Sequence, residues 1–226
     1  MRATPAGGGT GDGVIADGSA ADPVPGGPAS TDERTAAILA AARAVAVDIG
    51  IRRLTIDEVV RRSGVSRMTV YRRFAGRDEV VVAVIRRELD DAARAVAAAV
   101  AGTTGGEARF VGAFAAAVEV LGGNALLTRL LQLEPETLLP YMTTSGHPFV
   151  AGATAFLRPY VRDLRAEAGV ASPDPGLDAV AETIGRVGLS LRLTPAIVID
   201  LDGRPAVERY AREVLVPLAL AGVPRG

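Results

Sequence analysis

The stretch Thr55 to Glu79, TIDEVVRRSGVSRMTVYRRFAGRDE, constrains the fold most, because its signals for starting and stopping helices fall very close together. Thr55 followed by Glu58 fits a capping box, in which hydroxyl and carboxylate each satisfy an orphan amide at a helix start. Val59 and Val60 give that helix an apolar face. Gly64 suits the left-handed backbone that ends a helix, where a side chain would be strained, and Val65 can plug the corner that follows. Ser66 can cap a second helix in which Val70 and Phe74, four apart, pack inward. Arg67, Met68, Thr69, Tyr71, Arg72 and Arg73 are left to cover its other faces. The pattern predicts two short helices joined by a tight turn.

Charge narrows what such a pair can do. Residues 51–77 hold eight arginines (Arg52, Arg53, Arg61, Arg62, Arg67, Arg72, Arg73, Arg77) against Asp57 and Glu58, while the whole chain has a formal net charge of -1. Positive charge concentrated on one helix pair of a near-neutral protein is the footprint of a nucleic-acid contact. A solvated amphipathic pair kept soluble by its arginines is the plainer alternative. On the first reading, Arg67 can fork onto guanine O6 and N7. Thr69 can touch a thymine methyl or accept a hydrogen bond, and Met68 offers apolar contact, so these three are the expected base contacts. Thr55, Ser66, Tyr71, Arg72 and Arg77 are the expected backbone contacts. Tyr71 also fits a half-buried ring between helices, and Arg61 and Arg62 fit plain surface.

The rest of the chain reads as helices separated by Gly and Pro. Residues 1–30 are rich in Gly, Ala, Pro and Asp with little to bury, which predicts a disordered tail. A helix capped by Ser30, Thr31 or Asp32 carries Ile38, Ala42, Val45, Ala46 and Ile49 up to Gly50. Asp78 and Glu79 suit the start of a long helix to about Val100, with Val80, Val81, Val84, Ile85, Leu89 and Val96 inward. Further helices are expected at Phe110–Leu121, Ala125–Gln132, Glu136–Met142, Phe149–Gly169, from Leu177 past Leu191, and Val207–Leu218. The Gly146–Pro148 stretch reads as a loop, and Pro159 should kink or divide its helix. Cysteine is absent, so there is no disulfide or thiolate metal site. With no apolar run long enough for a membrane span and no signal-peptide order at the N-terminus, the expected compartment is the cytoplasm.

The segment resembles the DNA-binding domain of the TetR family of transcriptional regulators. The resemblance rests on Thr55, Ser63-Gly64-Val65-Ser66, Thr69-Val70-Tyr71 with Phe74, and Gly76-Arg77-Asp78-Glu79, and it covers about residues 32–91. The chain departs from the family at Val60, often Ala, and at Met68, often Gly or another small residue. It departs again at Arg72 or Arg73, where His is common, and at Arg77, where Lys is. The resemblance implies an all-α protein with an N-terminal three-helix helix-turn-helix DNA-binding domain, residues 31–77. A larger helical ligand-binding and dimerisation domain, residues 78–226, would follow. It further implies a repressor acting as a homodimer on a pseudo-palindromic double-stranded DNA operator, released by a small-molecule effector. Phe110, Phe114, Leu121, Phe149, Phe156 and Tyr160 are candidate pocket residues, with Glu119, Arg129, Arg158, Glu182 and Arg186 as candidate polar anchors. The aromatics fit plain core as well. The last two helices carry more apolar surface than one thin domain needs. Ile184, Gly188, Leu191, Tyr210, Val214 and Leu218 are therefore candidate dimer contacts, unless they close an intramolecular core.

Two other readings stay open. The body can dock a protein partner instead of sensing a small molecule, which requires a fully packed interior. An enzyme requires converging catalytic groups. His147 sits in a Gly-His-Pro loop, Glu134 and Glu136 flank Pro135, and Asp200-Leu201-Asp202-Gly203 lacks the later ligands of a calcium loop. No catalytic residue, metal or cofactor is expected.

Overall fold

The computed structural model describes residues 30–170, 173–194 and 196–221, the Tyr141 side chain excepted, so the expected tail at 1–29 lies outside it. All its regular elements are helices: α1 Thr31–Ile49, α2 Ile56–Ser63, α3 Arg67–Arg73, α4 Arg77–Ala99, α5 Gly106–Gly122, α6 Ala125–Leu133, α7 Pro135–Met142, α8 His147–Glu167, α9 Leu177–Leu193 and α10 Gly203–Tyr210. A π turn, Ala211–Leu215, joins α10 to α11, Val216–Ala219.

Local chemistry explains most boundaries. Ser30 and Glu33 complete a capping box at α1. Gly64 closes α2 at φ 67°, in the left-handed region. His147 and Pro148 form the first turn of α8 rather than a loop, a position where the missing proline amide costs nothing. Pro159 lies inside α8 without dividing it. The π turn was not foreseen. Pro217 has no N–H to close the next α-type bond, and the Val216 N–H reaches back five residues to the Ala211 carbonyl.

Two apolar cores result. The body core is built on α5, whose Phe110 and Phe114 pack with Val161 and Leu164 of α8, Ile184 of α9 and Leu215 of the π turn. Burying a side chain of this size stabilises by about 1.5–3 kcal/mol. Gly106 permits the closest crossing, since a Cβ there would sit 2.5 Å from the Asp163 carbonyl oxygen of α8. The head core gathers Ile38, Val45, Leu54, Val59, Val70, Phe74, Val80 and Val84, but also Leu126 and Leu130 of α6. The head therefore closes its core on the body. Ile49, expected to face inward, is 38% exposed.

Three polar links cross the same boundary. Glu88 of α4 pairs with Arg43 of α1 at 2.6 Å and accepts a bond from Asn124, the α6 cap, at 2.8 Å. Arg129 of α6 donates to the Val47 carbonyl of α1 at 3.2 Å. Glu134, buried at the α6–α7 joint, accepts the Arg52 backbone N–H at 3.1 Å from both carboxylate oxygens.

Candidate nucleic-acid interface

The turn between α2 and α3 is assembled by its own hydroxyls. Thr55 accepts the Glu58 N–H at 3.2 Å, and Ser66 accepts the Thr69 N–H at 3.2 Å. Only half of the expected box forms at α2. The Glu58 carboxylate turns instead to Arg61 and Arg62. The Arg61 guanidinium hydrogen-bonded to it, and then that of Arg62, hold the Glu58 carboxyl below the usual carboxylate range. The contribution of this exposed cluster to stability is therefore present above that range and fades as pH falls through the lowered value.

With Val70 and Phe74 locked inward, the first turn of α3 stands out from the protein. Met68 is 77% exposed and Tyr71 45%. Arg67 is exposed, paired with Asp57 of α2, and lies 5.6 Å over the Tyr71 ring. Tyr71 is thus neither wedged between helices nor free, since it shelves the Arg67 guanidinium. The Thr69 hydroxyl lies 2.9 Å from that of Ser66, which orients it along the helix start. Arg72 is exposed.

Arg77 is placed differently from its expected role. Its Nε donates to the Leu54 carbonyl at 2.9 Å and one terminal nitrogen to the Ile51 carbonyl at 2.6 Å, while the other pairs with Asp78. These bonds staple the α1–α2 connection. The charge picture also contracts. Five of the eight arginines are ion-paired: Arg52 with Glu136, Arg61 and Arg62 with Glu58, Arg67 with Asp57, and Arg77 with Asp78. Among the described residues, Arg53, Arg72 and Arg73 have no carboxylate within 4.0 Å, and two of these lie on α3.

Below the head, the body holds a half-open cavity of about 640 Å³ between α4, α5, α8 and α9. Phe114, Leu121, Phe149 and Phe156 line it as expected, but Phe110 and Tyr160 do not. Phe110 is fully buried in the α5–α8 contact, one turn below Phe114, and Tyr160 is buried against Phe156, its ring tilted by 55° with centroids 5.5 Å apart. Burial pushes the Tyr160 phenol up, against a smaller opposing pull from Arg109. None of the five expected anchors lines the cavity. Glu119 pairs with Arg204, Arg158 with Asp178, Glu182 with Arg186, and Arg129 holds α1. The polar lining is Arg86, Asp90, Thr128 and Arg192. Arg192 had a signal in the sequence, since Ile184, Gly188 and Arg192 follow one another at four-residue steps along one face of α9.

The expected dimer residues also divide. Ile184 is fully buried in the body core, and Gly188 and Leu191 line the cavity, so these three face inward. Tyr210 and Leu218 are partly exposed, and Val214 is 47% exposed. The residues weighed for catalysis do not converge. His147 is exposed at the start of α8, Glu136 pairs with Arg52, and Asp200 pairs with Arg209 at 2.6 Å. Among the described residues no cluster of three metal-ligating side chains occurs, and no single helix is long and apolar enough to cross a membrane.

Fold and face together define a helix-turn-helix protein whose α3 stands exposed and whose helical body holds a cavity. Residues 38–84 match the model of bacterial regulatory proteins of the tetR family. The chain is 41% identical over 59 residues to an uncharacterized HTH-type transcriptional regulator of Mycobacterium tuberculosis, covering 26% of this chain and 31% of that protein. It is 37% identical over 73 residues to the HTH-type transcriptional activator FasR of Mycolicibacterium smegmatis, covering 32% and 33%. These matches span about a third of the length of the curated relatives. Two solved structures share the fold. The TetR family repressor AlkX from Dietzia has a TM-score of 0.58 at 19% identity over 82% of this chain and 94% of that one. The transcriptional repressor QsdR of R. erythropolis has 0.55 at 19% identity over 87% and 98%. In sequence the head is similar to bacterial regulatory proteins of the tetR family over residues 38–84, and the whole shares the fold of the two solved structures.

Proposed function

We propose that this protein is a sequence-specific DNA-binding regulator, a ligand-responsive repressor that acts as a homodimer on a pseudo-palindromic operator. The observation that carries the reading is the first turn of α3, where Arg67 and Met68 stand exposed with half-buried Thr69 next to them, beside Arg72 and Arg73, which have no carboxylate partner among the described residues. A side-chain set of this kind at a helix start suits the major groove. The partly exposed apolar side chains of Tyr210, Val214 and Leu218 support a two-fold contact through the last helices.

The cavity favours small-molecule sensing over partner docking, which called for a packed body. A ligand acts by preferring the arrangement that cannot bind DNA. Its walls reach the head by short routes, since α4 carries Glu88 to Arg43, and α6 carries Arg129 to Val47. A shift of either helix by a bound molecule would be transmitted to α1.

Selection of bound duplexes from a random DNA pool by the purified chain tests the reading. An inverted repeat should emerge, and a folded sample that enriches no sequence sinks it. On the selected site, Arg67→Ala should relax preference at one base pair per half-site by about 1–3 kcal/mol. Because Asp57 holds Arg67 in the free protein, Asp57→Asn should tighten binding to all duplexes and steepen its salt dependence. Unchanged affinity in both variants, measured by fluorescence anisotropy, would remove Arg67 from the interface. A reporter placed behind the selected site decides repression against activation.

A further inference from the structure

Arg192 is the one cationic side chain of the cavity that lies on α9, and its surroundings leave its charge unanswered. One terminal nitrogen donates to the Thr128 hydroxyl at 3.2 Å, while its Nε is buried without a hydrogen-bond partner. Among the described residues no carboxylate lies within 4.0 Å of it, so that it makes no ion pair. A buried guanidinium nitrogen without a partner is a rare and costly arrangement. The Nε itself is covered by protein atoms, so a carboxylate in the cavity would meet the terminal nitrogens, whose outer edge matches it in bidentate fashion. Around this edge the lining is apolar, with Phe114, Val118 and Leu121 of α5 and Phe149, Phe156 and Leu157 of α8. Arg86 and Asp90 of α4 are the other charged groups that line the cavity, and both are exposed.

We infer that the cavity takes an amphipathic carboxylate, an alkyl chain lying between α5 and α8 with its carboxylate forked onto Arg192. The inference rests on the ligand-responsive reading above and adds the class of ligand. The volume suits a molecule of this kind, since small-molecule sites commonly run to about 300–1,000 Å³. The glycines of the wall make the space. Gly152 of α8 faces the cavity, and a Cβ added there meets nothing within 4 Å. The same contact supplies a means of signalling. A carboxylate on the Arg192 fork competes with Thr128 of α6, and the next residue, Arg129, is the one that holds the Val47 carbonyl of α1.

Calorimetric titration of the full chain with dodecanoate, dodecan-1-ol and dodecylammonium, the two ions kept below their micelle concentrations and the alcohol below its solubility limit, tests this directly. Dodecanoate should bind roughly tenfold or more tightly than the alcohol, the difference between a charge-assisted and a neutral contact. Arg192→Gln should abolish that preference, weakening the acid roughly tenfold or more and the alcohol far less. Gly152→Leu, which narrows the cavity and keeps Arg192, should weaken the acid and the alcohol alike. Thermal melts of both variants confirm that they fold. The inference is overturned if acid and alcohol bind equally, if the preference survives Arg192→Gln, if the ammonium ion binds best, or if none of the three binds. Operator affinity measured on the same samples separates the two readings. Dodecanoate bound through Arg192 without effect on DNA affinity keeps the carboxylate site and sinks ligand response. Release of DNA by some other small molecule, with no binding of the acid, does the reverse.

Discussion

Asp174→Ala should cost about 3–5 kcal/mol of folding stability, the usual consequence of stripping one partner from a buried ion pair. Arg165 of α8 and Asp174, just before α9, form such a pair at 2.7 Å, with side chains only 7% and 12% exposed. Asp174 also accepts the Gly176 N–H at 3.0 Å, and Arg165 donates to the Ala219 carbonyl at the end of α11 at 3.0 Å. One guanidinium thus pins the start of α9 and the end of α11 to α8. Removal of the carboxylate leaves a buried cation whose remaining partner among the described residues is the Ala219 carbonyl. The melting temperature should fall by roughly 10 °C for a chain of this size. Arg165→Met combined with Asp174→Leu should recover most of the loss, because an apolar pair of similar volume carries no desolvation penalty. If the single variant melts within a degree or two of the parent, the pair is solvated in solution and does not hold the body closed.

The head was legible in the sequence because its determinants are local. Thr55, Gly64 and Ser66 each act on amides within four residues, and Val70 with Phe74 needs only the helical period. Local reasoning failed where a charged side chain had a choice of partners. Glu58 gave up the box for Arg61 and Arg62, and Arg67 found Asp57 ten residues earlier. Arg77 turned to carbonyls at Ile51 and Leu54, more than twenty residues away. In the body the period located the helices but not their facing sides. Phe110 and Phe114 occupy one stripe of α5, yet only Phe114 reaches the cavity, because Gly106 draws the start of α5 against α8 and closes the gap at Phe110. Ile184, Gly188 and Leu191 look like an interface stripe for the same reason. Their partners are α5 and α8 of the same chain. Gly and apolar residues at helical spacing specify close packing without specifying the neighbour.

Gly50→Ala should be the most damaging single methyl in the head. Gly50 ends α1 at φ 90° and ψ 161°, a backbone conformation open to little but glycine, and forcing alanine into it costs about 1–3 kcal/mol. The new Cβ would also overlap the Glu134 Oε1 and sit 2.8 Å from its Cδ. Glu134 would have to leave, and the Arg52 N–H it satisfies would be stranded, a further loss of about 1–3 kcal/mol. The two contributions can be separated by a double-mutant cycle. Glu134→Ala alone should forfeit the hydrogen bond and keep the Gly50 backbone. Adding Gly50→Ala to it should then cost only the backbone strain, less than the same change costs in the parent. Urea midpoints of the four proteins measure this directly. Additive losses would mean that Glu134 already stands clear of Gly50 in solution. The functional consequence follows from the position of the contact, where the α6–α7 joint meets the connection that sets α2 and α3. A chain that has lost it should bind its selected DNA with an affinity less sensitive to any molecule in the cavity, because one of the links between body and head is gone.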